Sequence, residues 1–444
     1  MADWLKMTAC DLGRAIGAGD IDPVELCEAF LEAINAHEYR DRIYARLTVD
    51  RARAEALAAS KRAKAGTRRG LLDGVPISWK DLYDTAGVVT EAGTALLKGR
   101  VPDTDAEVLA NATRAGLVCL GKTHMTELAF SGLGLNTVTE TPPNSNDPAL
   151  VAGGSSSGAA TSVAFGLAAA GIGSDTGGSV RLPSVWNDLV GLKTTHGLLS
   201  CEGVVPLCES FDTVGPLCRT VEDAAELLAV MSGETAPDLT GASLKGTRFM
   251  VLETVALPGC RSEPLAAFER AVERLQTAGA VVERGEIPAV ARAMELAGSL
   301  FTSEAYAQWH KEIEANPDAM FPPVRERFRA GAAYSAVEYI AGWQELRKLQ
   351  AEYHAATAGF DAVLVPSTPI LPPNIERLLS DHEYFISENL MALRNTRIGN
   401  LMDLCGLTLP TDTPMCGITA LAEPFSEAKL LRLGSVMEKV VRGH

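Results

Sequence analysis

Residues Val151 to Gly191 read V-A-G-G-S-S-S-G-A-A-T-S-V-A-F-G-L-A-A-A-G-I-G-S-D-T-G-G-S-V-R-L-P-S-V-W-N-D-L-V-G. Two glycine–serine clusters, Gly153-Gly154-Ser155-Ser156-Ser157-Gly158 and Asp175-Thr176-Gly177-Gly178-Ser179, flank an apolar segment of small residues. Glycine allows unusual backbone conformations and close approach to a ligand. A serine beside it can act as nucleophile, proton relay or simple turn residue. Either cluster alone reads as a serine-capped turn. Joined by a segment long enough to return the chain to the same end of a sheet, they read as one site. The longest apolar run, Val163 to Ile172, reads as a buried helix and is far short of the roughly 20 residues that span a membrane.

Further out, helix and strand patterns alternate. Asp22-Pro23-Val24-Glu25 starts a helix, with Asp22 as N-cap and Pro23 at the first position. Leu26, Phe30, Leu31 and Ile34 form its apolar stripe. Arg51 to Ala65 is a second helix. Val75 to Trp79 is short and apolar enough for a strand; Lys80 sits at its end and, on this segment alone, reads as a solvated surface charge. Asp105 to Ala115 predicts a helix and Leu117 to Gly121 a strand. Thr220 caps a helix to about Met231, and helices are predicted over 263–278 and 427–441. Strands are predicted over 249–252, 280–282, 361–366 and 407–410. The mostly helical region 289–358 carries Phe301, Tyr306, Trp309, Tyr334, Tyr339 and Trp343, which read as core. The alternation implies α/β architecture, and no linker separates independent domains.

A chain of 444 residues, 47% apolar and 22% charged, is globular. Its net charge of −16 argues against a nucleic-acid surface. The start, Met1-Ala2-Asp3-Trp4-Leu5-Lys6, lacks an apolar signal core. Nine cysteines without a C-x-x-C pair suit a reducing cytoplasm, and Cys201, Cys208 and Cys218 fit no zinc spacing. His124 and Glu127 can face one way, but no third metal ligand follows. The residues therefore predict a cytoplasmic protein, with no membrane or nucleic-acid partner and no metal.

Two nucleophiles compete on the residues alone. Gly154 to Gly158 matches G-x-S-x-G, which would make Ser156 the nucleophile of an esterase; that elbow needs a preceding strand, whereas 144–150 reads as a Pro/Asn/Asp loop. The other choice is Ser179. The successive N–H groups of the Gly-Gly turn before it, at a helix start suited by Pro183, would converge where an oxyanion develops. Ser179 needs a base, and a lysine serves when burial keeps it neutral.

The run G-G-S-S-S-G…G-S-D-T-G-G-S-V-R-L-P-S…V-G-L-K, with I-S-W-K-D-L-Y-D-T-A-G upstream, resembles the amidase signature family. The likeness extends to Gly121-Lys122-Thr123, Asn136, Ser210 to Pro216, Thr220 to Asp223 and Val365 to Pro369, covering about residues 10–440 and weakest over 240–355 and near the end. It implies a single large α/β domain over 1–444, a central mixed β-sheet covered by helices on both faces. Within it lie an N-terminal helical arm (1–65), a signature core with the triad (70–232) and a pocket-shaping C-terminal part (240–444).

The resemblance further implies a Ser–cis-Ser–Lys triad: Lys80 as base, Ser155 as relay after a cis peptide, Ser179 as nucleophile. It implies an oxyanion hole from the backbone of Thr176, Gly177, Gly178 and Ser179, support from Ser156, and a structural Arg181. No cofactor is implied. The expected activity is hydrolysis of a small-molecule amide, with the oligomeric state open and a homodimer among the options. Arg394 and Arg397 lie in a segment resembling one near the family's active site; either could bind a substrate anion, and a structural ion pair is the plainer expectation. Relatives also serve as the amidase subunit of tRNA-dependent amidotransferases. Three residues or segments depart from the family pattern: Ser157 stands where the family commonly has glycine, His124 replaces a common asparagine, and a longer segment near 415–418 is missing; the last, with the short total length, argues against the subunit reading. A non-catalytic binding protein is the remaining alternative, opposed by the intact Lys80, Ser155 and Ser179.

Overall fold

Lys80 is the last residue of a wholly buried strand in the computed structural model, which describes residues 4–443. Among these residues one mixed sheet holds eleven strands: β1 (Tyr44–Leu47), β2 (Pro76–Lys80), β3 (Val118–Thr123), β4 (Ala170–Ser174), β5 (Val190–Lys193), β6 (Val214–Cys218), β7 (Arg248–Leu252), β8 (Val281–Gly285), β9 (Ala362–Pro366), β10 (Cys405–Pro410) and β11 (Gly417–Ala422). Their spatial order is β1-β3-β2-β4-β6-β5-β10-β11-β9-β7-β8. β2 runs parallel to β3 and β4, and β7 parallel to β8 and β9; the other neighbours are antiparallel. The α/β domain with a large mixed sheet flanked by helices is the architecture the resemblance implies. Among the described residues no helix is long and apolar enough to cross a membrane.

Local signals act as read. Asp22 accepts a hydrogen bond from the Val24 N–H and opens the helix Pro23–Ala36, whose Leu26, Phe30, Leu31 and Ile34 are buried. Thr220 accepts from the Asp223 N–H at the start of Val221–Ser232. The aromatics of 289–358 divide. Trp309 is buried and donates to the Pro206 carbonyl (2.9 Å), whereas Tyr334 is 39% exposed and lies outside the core.

One expectation is overturned. The run Val163–Ile172 is not a helix: the helix Ser157–Ala164 ends, Gly166 turns the chain at φ 74°, and β4 begins at Ala170. Apolarity without a period cannot separate a helix end plus a strand from a buried helix. The buried turn is made tolerable by Arg219, whose guanidinium donates to the carbonyls of Val163 (2.7 Å) and Ala169 (3.0 Å).

The helix Ser157–Ala164 lies close against β4 because β4 carries glycines. A Cβ on Gly171 would stand 2.7 Å from the Ala159 carbonyl oxygen, and one on Gly173 2.5 Å from Ser156 Oγ. Ser78 Oγ of β2 and Ser162 Oγ of the helix bond at 2.8 Å and fix the pair. Gly173→Ala is therefore expected to lower stability by about 1–3 kcal/mol through overpacking. Urea unfolding of the variant against the native chain measures this; an unchanged midpoint would mean the helix has room to move.

Candidate active site

β2 and β4 are parallel neighbours, so their C-terminal ends lie side by side. This brings Lys80 to Ser174, the last residue of β4. Lys80 Nζ donates to Ser155 Oγ (2.7 Å) and Ser174 Oγ (2.8 Å). The solvated-charge reading of Lys80 is thus wrong: its side chain is wholly buried. Burial pushes its pKa down to about 7, against the pull of Asp212 and Asp175, which favour the charged form.

The two glycine–serine clusters meet here. The Gly154–Ser155 peptide is cis, as the resemblance implies. The Ser156 N–H donates to the Ser179 carbonyl (3.3 Å), tying one cluster to the other. Ser156 Oγ donates to the Ser174 carbonyl (3.2 Å) and accepts from the Ser174 N–H (3.3 Å). Ser156 is thereby committed to the backbone of β4, and residues 144–150 form a loop rather than a strand. The nucleophile-elbow reading lacks both its strand and a free hydroxyl.

Asp175 shapes the second cluster. Its carboxylate accepts from the Gly178 N–H (2.8 Å), the Val180 N–H (3.2 Å), Arg181 Nε and Nη2 (3.0 Å each) and Asn400 Nδ2 (3.0 Å). Burial opposes its ionisation, but the charge and hydrogen bonds of Arg181 win and hold it well below the usual carboxylate range. Arg181 is wholly buried and serves structure. The bond from Gly178 corrects one expectation: with its N–H taken by Asp175, Gly178 is withdrawn from the oxyanion donors. The N–H groups of Thr176, Gly177 and Ser179 bond to no described residue. Gly178 has φ 134°, and a Cβ there would stand 2.1 Å from Thr396 Oγ1, which donates to the Gly177 carbonyl (2.8 Å). Thr176 Oγ1 donates to Asp212, whose carboxyl burial pushes up to about 6.

Ser179, Thr176 and Gly177 line a cavity of about 20 Å³, with room for about one water. Phe301, Arg327 and Arg397 line it too, and the same three residues line a larger cavity of about 420 Å³. Three polar groups escaped the sequence reading. Ser174 stands inside the quoted run G-S-D-T-G-G-S, and Asp212 inside the stretch Ser210 to Pro216, without being singled out. Arg327 lies in R-E-R-F-R, which looks like a solvated helix face and gives no signal. The ion pair expected for Arg394 or Arg397 is absent among the described residues. Arg394 donates instead to the backbone carbonyls of Pro258 and Ala256. The Glu127 carboxylate, three residues from His124, accepts from Thr94 Oγ1 (2.8 Å) and the Phe321 N–H (2.9 Å).

A family model described as Amidase matches residues 25–431. A Comamonas testosteroni protein named 2-amino-5-chloromuconic acid deaminase is 34% identical over 405 residues, covering 89% of this chain and 87% of its own. A glutamyl-tRNA(Gln) amidotransferase subunit of Chloroflexus aurantiacus is 31% identical over 484 residues, covering 100% of this chain and 98% of its own. A solved structure described as a crystal structure of amidase superposes with a TM-score of 0.88 at 31% identity, covering 98% of this chain and 100% of that one.

The Asp175–Arg181 pair has no exposure at either side chain. Asp175→Asn leaves the Arg181 charge buried and uncompensated, and is expected to cost about 3–5 kcal/mol of stability. Equilibrium unfolding in urea checks this; a loss under about 1 kcal/mol would show that Asn400 and the backbone suffice.

Proposed function

Because the chain belongs to the amidase family and is a hydrolase of carbon–nitrogen amide bonds, we propose that it cleaves small-molecule amides through an acyl-enzyme on Ser179. Lys80 is the base and Ser155 the relay. The observation that carries this is Lys80 itself: a buried amine with serine hydroxyls as its hydrogen-bond partners and a pKa near 7. Such a group is poised to exchange protons at neutral pH.

The steps follow from the side chains. Neutral Lys80 takes the Ser155 hydroxyl proton as Ser155 takes the proton of Ser179. Ser179 Oγ bonds to the amide carbon, and the carbonyl electrons move to oxygen, facing the N–H groups of Thr176, Gly177 and Ser179. On collapse the C–N bond breaks and the relay returns the proton to the leaving nitrogen. Water, deprotonated by the same relay, then attacks the ester carbon and releases acid and free Ser179. Ser156 holds the backbone of Ser174, the second partner of Lys80. The enzyme works in the cytoplasm, alone or as a homodimer.

A second biological setting has support: the full-length likeness to a glutamyl-tRNA(Gln) amidotransferase subunit. That alignment is longer than this chain, so the relative carries segments that are missing here, and we favour the stand-alone hydrolase. Glutaminase activity that appears only on adding a partner protein would reverse the preference.

Fluorophosphonate labelling followed by peptide mass spectrometry tests the chemistry. The adduct is expected on Ser179, and Lys80→Ala is expected to slow labelling by about 10²–10⁴-fold. An adduct on Ser156, indifferent to Lys80, would sink the proposal. The labelling rate should rise with pH through about 7 as Lys80 loses its proton. The negative charge of Asp212 holds that proton on, so Asp212→Asn should move the rise to lower pH; a shift upward would contradict the assignment of the titrating group to Lys80.

A further inference from the structure

The turn 176–179 carries two glycines and is held from outside at three points. Asp175 accepts from the Gly178 N–H, and Thr396 donates to the Gly177 carbonyl. At Thr176 the anchor is Asp212, which accepts from the threonine hydroxyl. Asp212 belongs to the stretch 205–213 between β5 and β6, which is neither helix nor strand. Its carboxylate also accepts from the Leu207 N–H (2.9 Å) and the Cys208 N–H (3.1 Å), so one group fastens the loop to itself and to the turn. Such a loop has no ladder of its own, and the scaffold around it sets where it lies.

Two helices supply that scaffold. Phe301 and Glu304 are three residues apart on the helix Pro288–Ala315, and Tyr339 and Trp343 are four apart on the helix Ala336–Thr357. Either spacing puts the pair on one helix face. Phe211 of the loop lies between the two faces, with ring centroids 4.3 Å from Phe301 and 5.0 Å from Trp343. Beside it Glu304, half-buried, accepts from the Ser210 N–H (2.7 Å) and from Tyr339 Oη (3.1 Å). Glu304 thereby joins the loop to both helices, two residues from Asp212. Trp309 adds its bond to Pro206, and on the exposed side His196 Nε2 lies 2.8 Å from the Glu209 carbonyl. Burial, and the charge of Glu304 with it, opposes ionisation of Asp212. A carboxylate at position 304 therefore works against the ion it sits beside, and its two hydrogen bonds offset that repulsion.

We propose that Glu304 is a positioning residue for the oxyanion turn, acting through Ser210, Asp212 and Thr176, which rests on Ser179 being the nucleophile. Without its carboxylate the loop loses its tie to the helices at Ser210. Asp212 carries the displacement to Thr176 Oγ1, and the Thr176 N–H no longer faces the developing oxyanion. Glu304 lines neither cavity around Ser179, so ground-state binding is untouched. The loss falls on the bond-forming step, where only interactions stronger in the transition state count.

Saturation kinetics of fluorophosphonate labelling separate binding (KI) from bond formation (kinact). In that reaction Ser179 Oγ bonds to phosphorus, fluoride leaves and the relay takes the serine proton. Glu304→Leu is expected to lower kinact by about 10–100-fold, the scale of a misplaced reacting geometry, with KI nearly unchanged. Glu304→Gln keeps an acceptor for the Ser210 N–H and turns its amide donor to Tyr339 Oη, so it should retain most of kinact. Thr176→Val cuts the same path at its far end, so adding Glu304→Leu to it should cost little more. Tyr339→Phe removes one of the two donors without emptying the site, and should lower kinact less; it carries the same test where Glu304→Leu does not fold. A loss in KI instead of kinact, equal losses in Glu304→Gln and Glu304→Leu, or additivity with Thr176→Val overturns the positioning role. Native labelling at Ser179 would then still stand, and the hydrolase with it. A native protein that does not label at Ser179 overturns the hydrolase reading and the positioning role together.

Discussion

The buried carboxylate of Asp175 is the constraint on which the site depends. It sits one residue past β4 and collects donors from three places: the turn that follows it, Arg181 in the helix Arg181–Trp186, and Asn400 in the helix Arg394–Leu401. Its own N–H and carbonyl pair with Thr213 just before β6. One ionised group thereby fixes the turn, docks two helices and holds the sheet edge of the site. A charge this deep persists only because nearly every lone pair is met. By occupying the Gly178 N–H it also determines which N–H groups of the turn are left over for a ligand.

Lys80 shows the opposite use of burial. No carboxylate of the described residues pairs with it, so desolvation dominates and its pKa falls to about 7. Asp175 and Asp212 temper this from a distance. Were either acid in contact, the lysine would be a permanent ammonium and useless as a base. The geometry of β2 and β4 keeps serines in the contact positions and acids one layer away. Gly173 makes the arrangement sterically feasible by leaving space for Ser156 beside β4.

Much of this was legible in the chain. Capping residues gave helix starts at Pro23 and Val221, and period and turn signals located β2, β7, β9 and β10 to within one or two residues. Spacing in the Val151–Gly191 stretch pointed to a joint site. What could not be read was set by tertiary contact. Lys80 looks solvated because nothing local records that the sheet continues on both sides of β2. The run Val163–Ile172 conceals a turn because its polar partners come from Arg219, more than forty residues later. Arg327 belongs to a helix with a charged, surface-like sequence, and only the fold turns that residue inward. Gly178 looked like an oxyanion donor until the position of the Asp175 carboxylate was known.

The net charge of −16 and the two cavity arginines pull in different directions, and length scale decides between them. Surface charges separated from the cavity by more than the Debye length, about 8 Å at physiological salt, are screened. Inside the cavity screening is weak, and two guanidinium groups without counter-ions dominate the local field. The buried pair of Asp175 with Arg181 builds the fold, whereas the guanidinium groups of buried Arg397 and half-buried Arg327 have no hydrogen-bond partner among the described residues.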